Sequence, residues 1–282
     1  MDSTAQKEKI ARFESSKPDH RLIGMNKTRP IGIMSAISQE IESLLGEMAT
    51  EKISHHGRRD FHEGSLWGCP CVLVYSRVGK VASAATATEL ISRFNVERLL
   101  FTGVAGSASE NLKIGDIVIG QSLVQHDMDA RPLFRQYEIP YLNVMRFLTD
   151  EEDSVKLQSS AQSFLNEDFE SVVSKSNGTE FGLSRPKVFH GEIASGDQFI
   201  ADHKILADLK KRLPDTLCVE MEGAAVAQVC YEYDIPFSLV RIISDGADSQ
   251  APVNFVKFVQ EVAKEYSHGI IRRWLKQKAG VK

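Results

Sequence analysis

Only four cysteines (Cys69, Cys71, Cys218 and Cys230) occur in 282 residues, too few to staple a small secreted fold. Cys69 and Cys71 stand one residue apart, closer than a zinc knuckle, with no second pair and no HExxH nearby; no metal or organic cofactor is expected. No apolar run reaches the roughly 18 residues that cross a bilayer, and the first 30 residues mix both charges without an apolar signal core. A reducing, cytoplasmic setting and no membrane partner follow as expectations. Positive charge is also short. Thirty-four Lys and Arg against 38 Asp and Glu leave a net charge of −4, which gives phosphate backbones no basic surface and argues against nucleic acid as a partner. A Gly-x-Ser-x-Gly elbow and a Gly-Lys-Ser/Thr phosphate loop are missing too, which disfavours acyl transfer and nucleotide hydrolysis.

What remains is an ordinary globular composition, 42% hydrophobic and 26% charged, long enough for one large domain or two small ones. Residues 1–28 are polar, with one short helix expected over Ala5–Phe13, and read as an N-terminal extension. From residue 29 apolar runs alternate with helical periods through to 282. Strands are expected from Ile31, over Cys71–Tyr75, Arg98–Thr102, Asp116–Val124, Val188–Ala194, Thr216–Val219 and Phe237–Ile243. Helices are expected after an N-cap at Ser38 and over Val81–Phe94, Asp202–Arg212, Met221–Tyr233 and Asn254–Lys276. The strand, helix, strand unit from Cys71 to Thr102 implies a parallel pair. The alternation predicts a single three-layer α/β domain, a mostly parallel mixed sheet flanked by helices. Residues 146–187, charged and rich in Ser, read as a surface insertion with one helix near Val155–Leu165 and a loop at Lys175–Thr179.

In open α/β sheets ligands lie beyond the carboxyl ends of the strands, and three carboxylates follow apolar runs: Glu40, Glu222 and Asp245. Each also suits a first helical turn, where the helix dipole favours acids without any functional role. Arg241 lies inside the apolar run Ser238–Ile243. It needs an anionic partner or ligand, such as Glu40 or a water shared with it, unless it snorkels at a sheet edge. The segment Thr102-Gly-Val-Ala-Gly106 follows a strand, and its glycines allow close backbone approach to a ligand. His126-Asp-Met-Asp129 suggests a metal cluster, but alternation puts His126 and the two aspartates on opposite faces.

Taken in series, Ile31-Gly-Ile-Met-Ser-Ala-Ile-Ser-Gln-Glu40, Val78-Gly-Lys-Val-Ala82, Thr102–Gly106, Ile114-Gly-Asp-Ile-Val118, Ser195-Gly-Asp-Gln-Phe-Ile200, Val219-Glu-Met-Glu-Gly-Ala-Ala225 and Arg241-Ile-Ile-Ser-Asp245 resemble the nucleoside phosphorylase superfamily. The resemblance is strongest to its 5'-methylthioadenosine/S-adenosylhomocysteine nucleosidase branch and covers residues 31 to about 275. It implies hydrolysis of the bond between adenine and ribose, a salvage role and a homodimer. By resemblance, Asp245 is the acid that protonates adenine N7, Glu40 orients and deprotonates the attacking water, and Arg241 steadies that water or Glu40. An ionised Glu222 would accept the ribose hydroxyls, with Glu220 and Met221 beside the sugar. Phe199, unless it is an ordinary core aromatic, stacks on the purine, and Ile200 bonds its edge through backbone. Val104, Ala105 and Gly106 back the sugar, and Phe255 closes the 5' side.

Two departures from the bacterial pattern bear on the chemistry. Val104 stands where those enzymes have Ser, and Arg77 stands where they have a small residue. An anion-binding Arg77 would allow a phosphate-dependent phosphorylase, although Glu40 would repel phosphate. A purine-binding protein without catalysis is the remaining alternative. The resemblance also implies that the segment from Met128 to Pro140 reaches the partner's active site, with Arg131, Phe134 and Tyr137 as candidate wall residues, unless it is a surface loop.

Overall fold

The pentad Ile31–Ser35 is buried along its whole length and forms β1, the strand around which the sheet is assembled. The computed structural model describes residues 28–280 except 174, 184, 249 and 250; the helix expected over Ala5–Phe13 and nearly all of the extension fall outside them. β1 pairs in parallel with β4 (Cys69–Tyr75) on one side and β5 (Arg98–Ser107) on the other. The unit expected from Cys71 to Thr102 is therefore parallel, but its strands are not neighbours, because β1 lies between them. The connecting helix runs over Lys80–Ser92.

Beyond β5 the pairings close on themselves. β5 pairs in parallel with β10 (Phe237–Asp245), β10 antiparallel with β6 (Ile117–Gln125), and β6 in parallel with β8 (Val188–Ser195). β8 pairs in parallel with β9 (Thr216–Glu220), β9 antiparallel with β5, and the two-residue β7 (Phe147–Leu148) antiparallel with β6 outside that circuit. Five strands thus form a ring, and β1 and β4 extend it into an open sheet. β2 (Ala49–His56) and β3 (Arg59–Leu66) complete that sheet as an antiparallel meander on β4. Helices cover both faces, which is the mixed α/β architecture expected. One core layer gathers Ile33, Leu100, Phe258 and Trp274, and another gathers Met34, Phe101, Leu239 and Ala227.

Three local expectations are corrected. Ser38 does not cap a helix; its hydroxyl donates to Gln39, and Ser38–Ile41 forms a 3₁₀ turn that leads into the helix Glu42–Glu47. Thr102–Gly106 does not follow its strand but continues it as part of β5, held by pairing to β10 on one side and β9 on the other. Lys175–Glu180 is a short helix. Within residues 146–187 the helix expected near Val155–Leu165 spans Glu151–Glu167, and its Leu157, Ala161 and Phe164 enter the core. Phe164 packs against Gly269, where a Cβ would meet its ring at 2.2 Å.

Candidate active site

Strand ends converge on one cavity of about 360 Å³. Ala36 and Ile37 follow β1, Val104–Gly106 belong to β5, Gln198–Ile200 follow β8, Glu220 ends β9 with Met221 and Glu222 just beyond it, and Asp245 ends β10. The catalytic and substrate-binding residues named from the sequence line it: Glu40, Arg241 and Asp245, with Val104, Ala105, Gly106, Phe199, Ile200, Glu220, Met221, Glu222 and Phe255. The cavity thus lies at the carboxyl ends of these strands, the place where open α/β sheets take their ligands.

Two glycines make room for two acids. A Cβ on Gly103 would sit 2.8 Å from Glu40 Oε1, and one on Gly106 would sit 2.9 Å from Asp245 Oδ1. Only a residue without a side chain lets each carboxylate lie against the strand. The two contact points are three residues apart on β5, about 10 Å of strand. Glu40 accepts the backbone N–H of Ala36 (3.1 Å), Ile37 (3.2 Å) and Val104 (3.0 Å). Burial pushes its carboxyl above the usual range, against the charge of Arg241 and those three donors. Asp245 is fixed by Ser244 Oγ (2.7 Å) and the Ala247 N–H (2.9 Å). Burial raises its carboxyl as well, with those two hydrogen bonds opposing and the charge of Asp248 adding. For Asp245 the shift favours the protonated form, the form that can donate a proton.

Arg241 is fully buried on β10, between β5 and β6, so it does not snorkel at an edge. Its ion pair is with Glu220, Nη2 to Oε2 at 2.7 Å, rather than with Glu40, and its guanidinium lies 4.3 Å over the Phe101 ring. Glu220 also accepts the N–H of Gly223 (2.8 Å) and of Glu222 (3.2 Å) and the hydroxyl of Ser195. This carboxylate faces inward onto protein donors at the start of the helix Gly223–Glu232, and sequence reasoning assigned it no such task. A buried arginine in need of an anion was the signal available.

Glu222 accepts the Gly79 N–H at 2.8 Å. Burial, reinforced by the neighbouring charge of Glu220, pushes it up to about 8. Burial thus favours the protonated form of Glu222, while the Gly79 N–H opposes it. Phe199 is 43% exposed, so it is no ordinary core aromatic; its ring meets Phe255 edge to face at 5.6 Å.

The model of the phosphorylase superfamily matches residues 30–276. The chain belongs to that superfamily. It is 34% identical over 238 residues to a 5'-methylthioadenosine/S-adenosylhomocysteine nucleosidase of Haemophilus influenzae, covering 84% of this chain and 95% of that protein. It is 36% identical over 237 residues to the nucleosidase of the same name from Actinobacillus succinogenes, covering 83% and 94%. Its fold is similar to that of the nucleosidase from Neisseria meningitidis in complex with methylthio-immucillin-A, with TM-score 0.77, 30% identity and coverage of 89% and 100%. It is also similar to a futalosine hydrolase of Helicobacter pylori, with TM-score 0.74, 31% identity and coverage of 88% and 98%.

Two further expectations about this superfamily member change. Arg77 is exposed and donates to the Arg58 carbonyl at 2.5 Å, outside the cavity lining, so it is not placed to bind phosphate there. Tyr137 is not a free wall residue but part of the core beside Ile200 and Leu209, its hydroxyl accepting from Arg212 at 3.1 Å. Arg131 pairs with Asp129 of its own loop at 2.5 Å. Asp127 pairs with Lys80 at 2.7 Å. Among the described residues no helix is long and apolar enough to cross a membrane.

Proposed function

We propose that this enzyme hydrolyses the N-glycosidic bond of adenine nucleosides such as 5'-methylthioadenosine and S-adenosylhomocysteine. The observation that carries this reading is the pair of buried carboxylates on one cavity, Glu40 and Asp245, each seated against its own glycine of β5. Asp245 gives its proton to adenine N7, so the purine leaves as a neutral base. Glu40 takes a proton from the water that attacks C1' from the other side of the sugar, the division of labour of an inverting glycosidase. The transition state carries positive charge on the sugar, and Glu222, once the ribose hydroxyls donate to it and it ionises, stabilises that charge. Phe199 stacks on the purine and Phe255 flanks the 5' substituent.

Phosphorolysis is disfavoured because Arg77 turns toward Arg58 and Glu40 opposes an incoming phosphate. The 5' group is left open by relatives that bear both nucleosidase and futalosine hydrolase names. A homodimer is favoured by apolar side chains left on the surface of the 128–141 stretch, Leu133 at 83% and Tyr141 at 87% exposure, with Phe134 set against Tyr141 at 5.3 Å. Cytoplasmic salvage of adenine and methionine precursors follows from the same reading. The test is product analysis of a panel of 5'-substituted adenosines with and without phosphate. Free adenine and free sugar without phosphate are expected; a sugar phosphate, or binding without cleavage, overturns the proposal.

A further inference from the structure

We infer that Glu220 is a positioning residue that holds Arg241 off Glu40 and so keeps Glu40 available as a base, an inference that rests on the reading of Glu40 given above. Arg241 has two anions within reach. A single point, the Cβ position of Gly103, lies 2.8 Å from Glu40 Oε1 and 3.3 Å from Arg241 Nη1, so those atoms are no more than about 6 Å apart, inside the range of strong Coulombic coupling. Yet the contact that forms is Nη2 to Glu220. Glu220 is in turn immobilised by the Gly223 and Glu222 N–H groups and the Ser195 hydroxyl. Phe101 closes the guanidinium from one face, while Nε has no hydrogen-bond partner among the described residues.

The consequence is electrostatic. A carboxylate clamped directly by a guanidinium loses basicity and rotational freedom. At one remove, Arg241 favours the ionised form of Glu40 without occupying the oxygens that must take the proton from water. Glu220 enforces that distance from the side away from the reacting atoms.

The experiment measures kcat and KM against pH for adenine release by the full chain. Adenine release by the unaltered enzyme without phosphate, and its loss in Glu40→Gln, first establishes the base; failure at that stage sinks the functional reading and not this inference alone. Given that result, Glu220→Gln frees Arg241 to close on Glu40. kcat is expected to fall about 30-fold or more with KM within about threefold, and the acid limb of the kcat profile to move to lower pH. Ser195→Ala, which removes the hydrogen bonds to Glu220 and from the Ala224 N–H but no charge, should leave the limb in place. Should Glu220→Gln not fold, the double variant Glu220→Gln/Arg241→Gln removes both charges together, and its acid limb should move to higher pH because Glu40 has lost its cation. An unmoved limb in Glu220→Gln or in the double variant overturns the inference. So does a loss of kcat matched by an equal rise in KM, which would make Glu220 a binding residue.

Discussion

Glu40 Oε1 accepts the N–H of Val104 at 3.0 Å, one residue past the glycine whose missing side chain makes room for that oxygen. The acid and the strand are thereby locked, and the lock depends on Gly103 having no Cβ. Gly103→Ala would place a carbon 2.8 Å from Oε1 and 3.3 Å from Arg241 Nη1, and the carboxylate would have to move. A displacement of this order at a reacting group costs about 100-fold in rate. We predict that loss in kcat, with little change in KM, by steady-state assay of adenine release; wild-type kcat would show that the seat of Glu40 does not matter.

Asp245→Asn keeps the shape and the Ala247 contact but removes the acidic proton. Turnover should fall by about 100-fold or more, while the dissociation constant for substrate, read by titration calorimetry, stays within about threefold. Full activity in this variant takes Asp245 out of the acid role.

Glu222 links pH to stability with a definite sign. Its folded value of about 8 stands above the ordinary 4.5, so between those values the folded chain binds more protons than the unfolded one. Stability from this group is complete below about pH 4.5 and is lost as pH rises through about 8. The midpoint of thermal unfolding of the unliganded enzyme should therefore decline across that window, and Glu222→Gln should flatten the decline. A slope unchanged by the substitution would contradict the buried, protonated acid.

Substrate should then expel that proton, because ribose hydroxyls donating to Glu222 favour its ionised form. Calorimetric binding at pH 7 of a non-hydrolysable adenine nucleoside analogue, repeated in buffers of different ionisation enthalpy, should show most of one proton released per site. No dependence on buffer would mean that Glu222 is already ionised or stays neutral.

Arg77→Ala tests the alternative chemistry. With its guanidinium on the Arg58 carbonyl and outside the cavity lining, its loss should leave adenine release within about twofold, with or without phosphate. A phosphate-dependent rate abolished by this change would restore phosphorolysis.

The site was legible wherever a carboxylate ends an apolar run, as Asp245 does after Phe237–Ile243 and Glu222 after Thr216–Val219, because a strand buried on both faces leaves its signature in composition. The hairpin Ala49–Leu66 left none. On β2 only Ser54 is buried, and on β3 only Phe61 and Leu66, so no regular apolar alternation marks the hairpin. Thr102–Gly106 differs for the opposite reason. The expected strand stops at Thr102, where the glycines begin, whereas in the fold those glycines thin a continuing strand so that Glu40 and Asp245 can approach it. Least visible was the pairing of Arg241 with Glu220. Arg241 demanded an anion, but choosing among Glu40, Glu220 and Glu222 requires the closed ring of strands that sets β9 and β10 on either side of β5.

The central claim is that two opposed acids, and no added anion, break the glycosidic bond. The most direct measurement is the rate of adenine release from 5'-methylthioadenosine in phosphate-free buffer by the unaltered enzyme beside Glu40→Gln. Steady release by the first, and a rate lower by about 100-fold or more in the second, is the predicted result. Release that begins only when phosphate is added, or that survives the loss of Glu40, would contradict it.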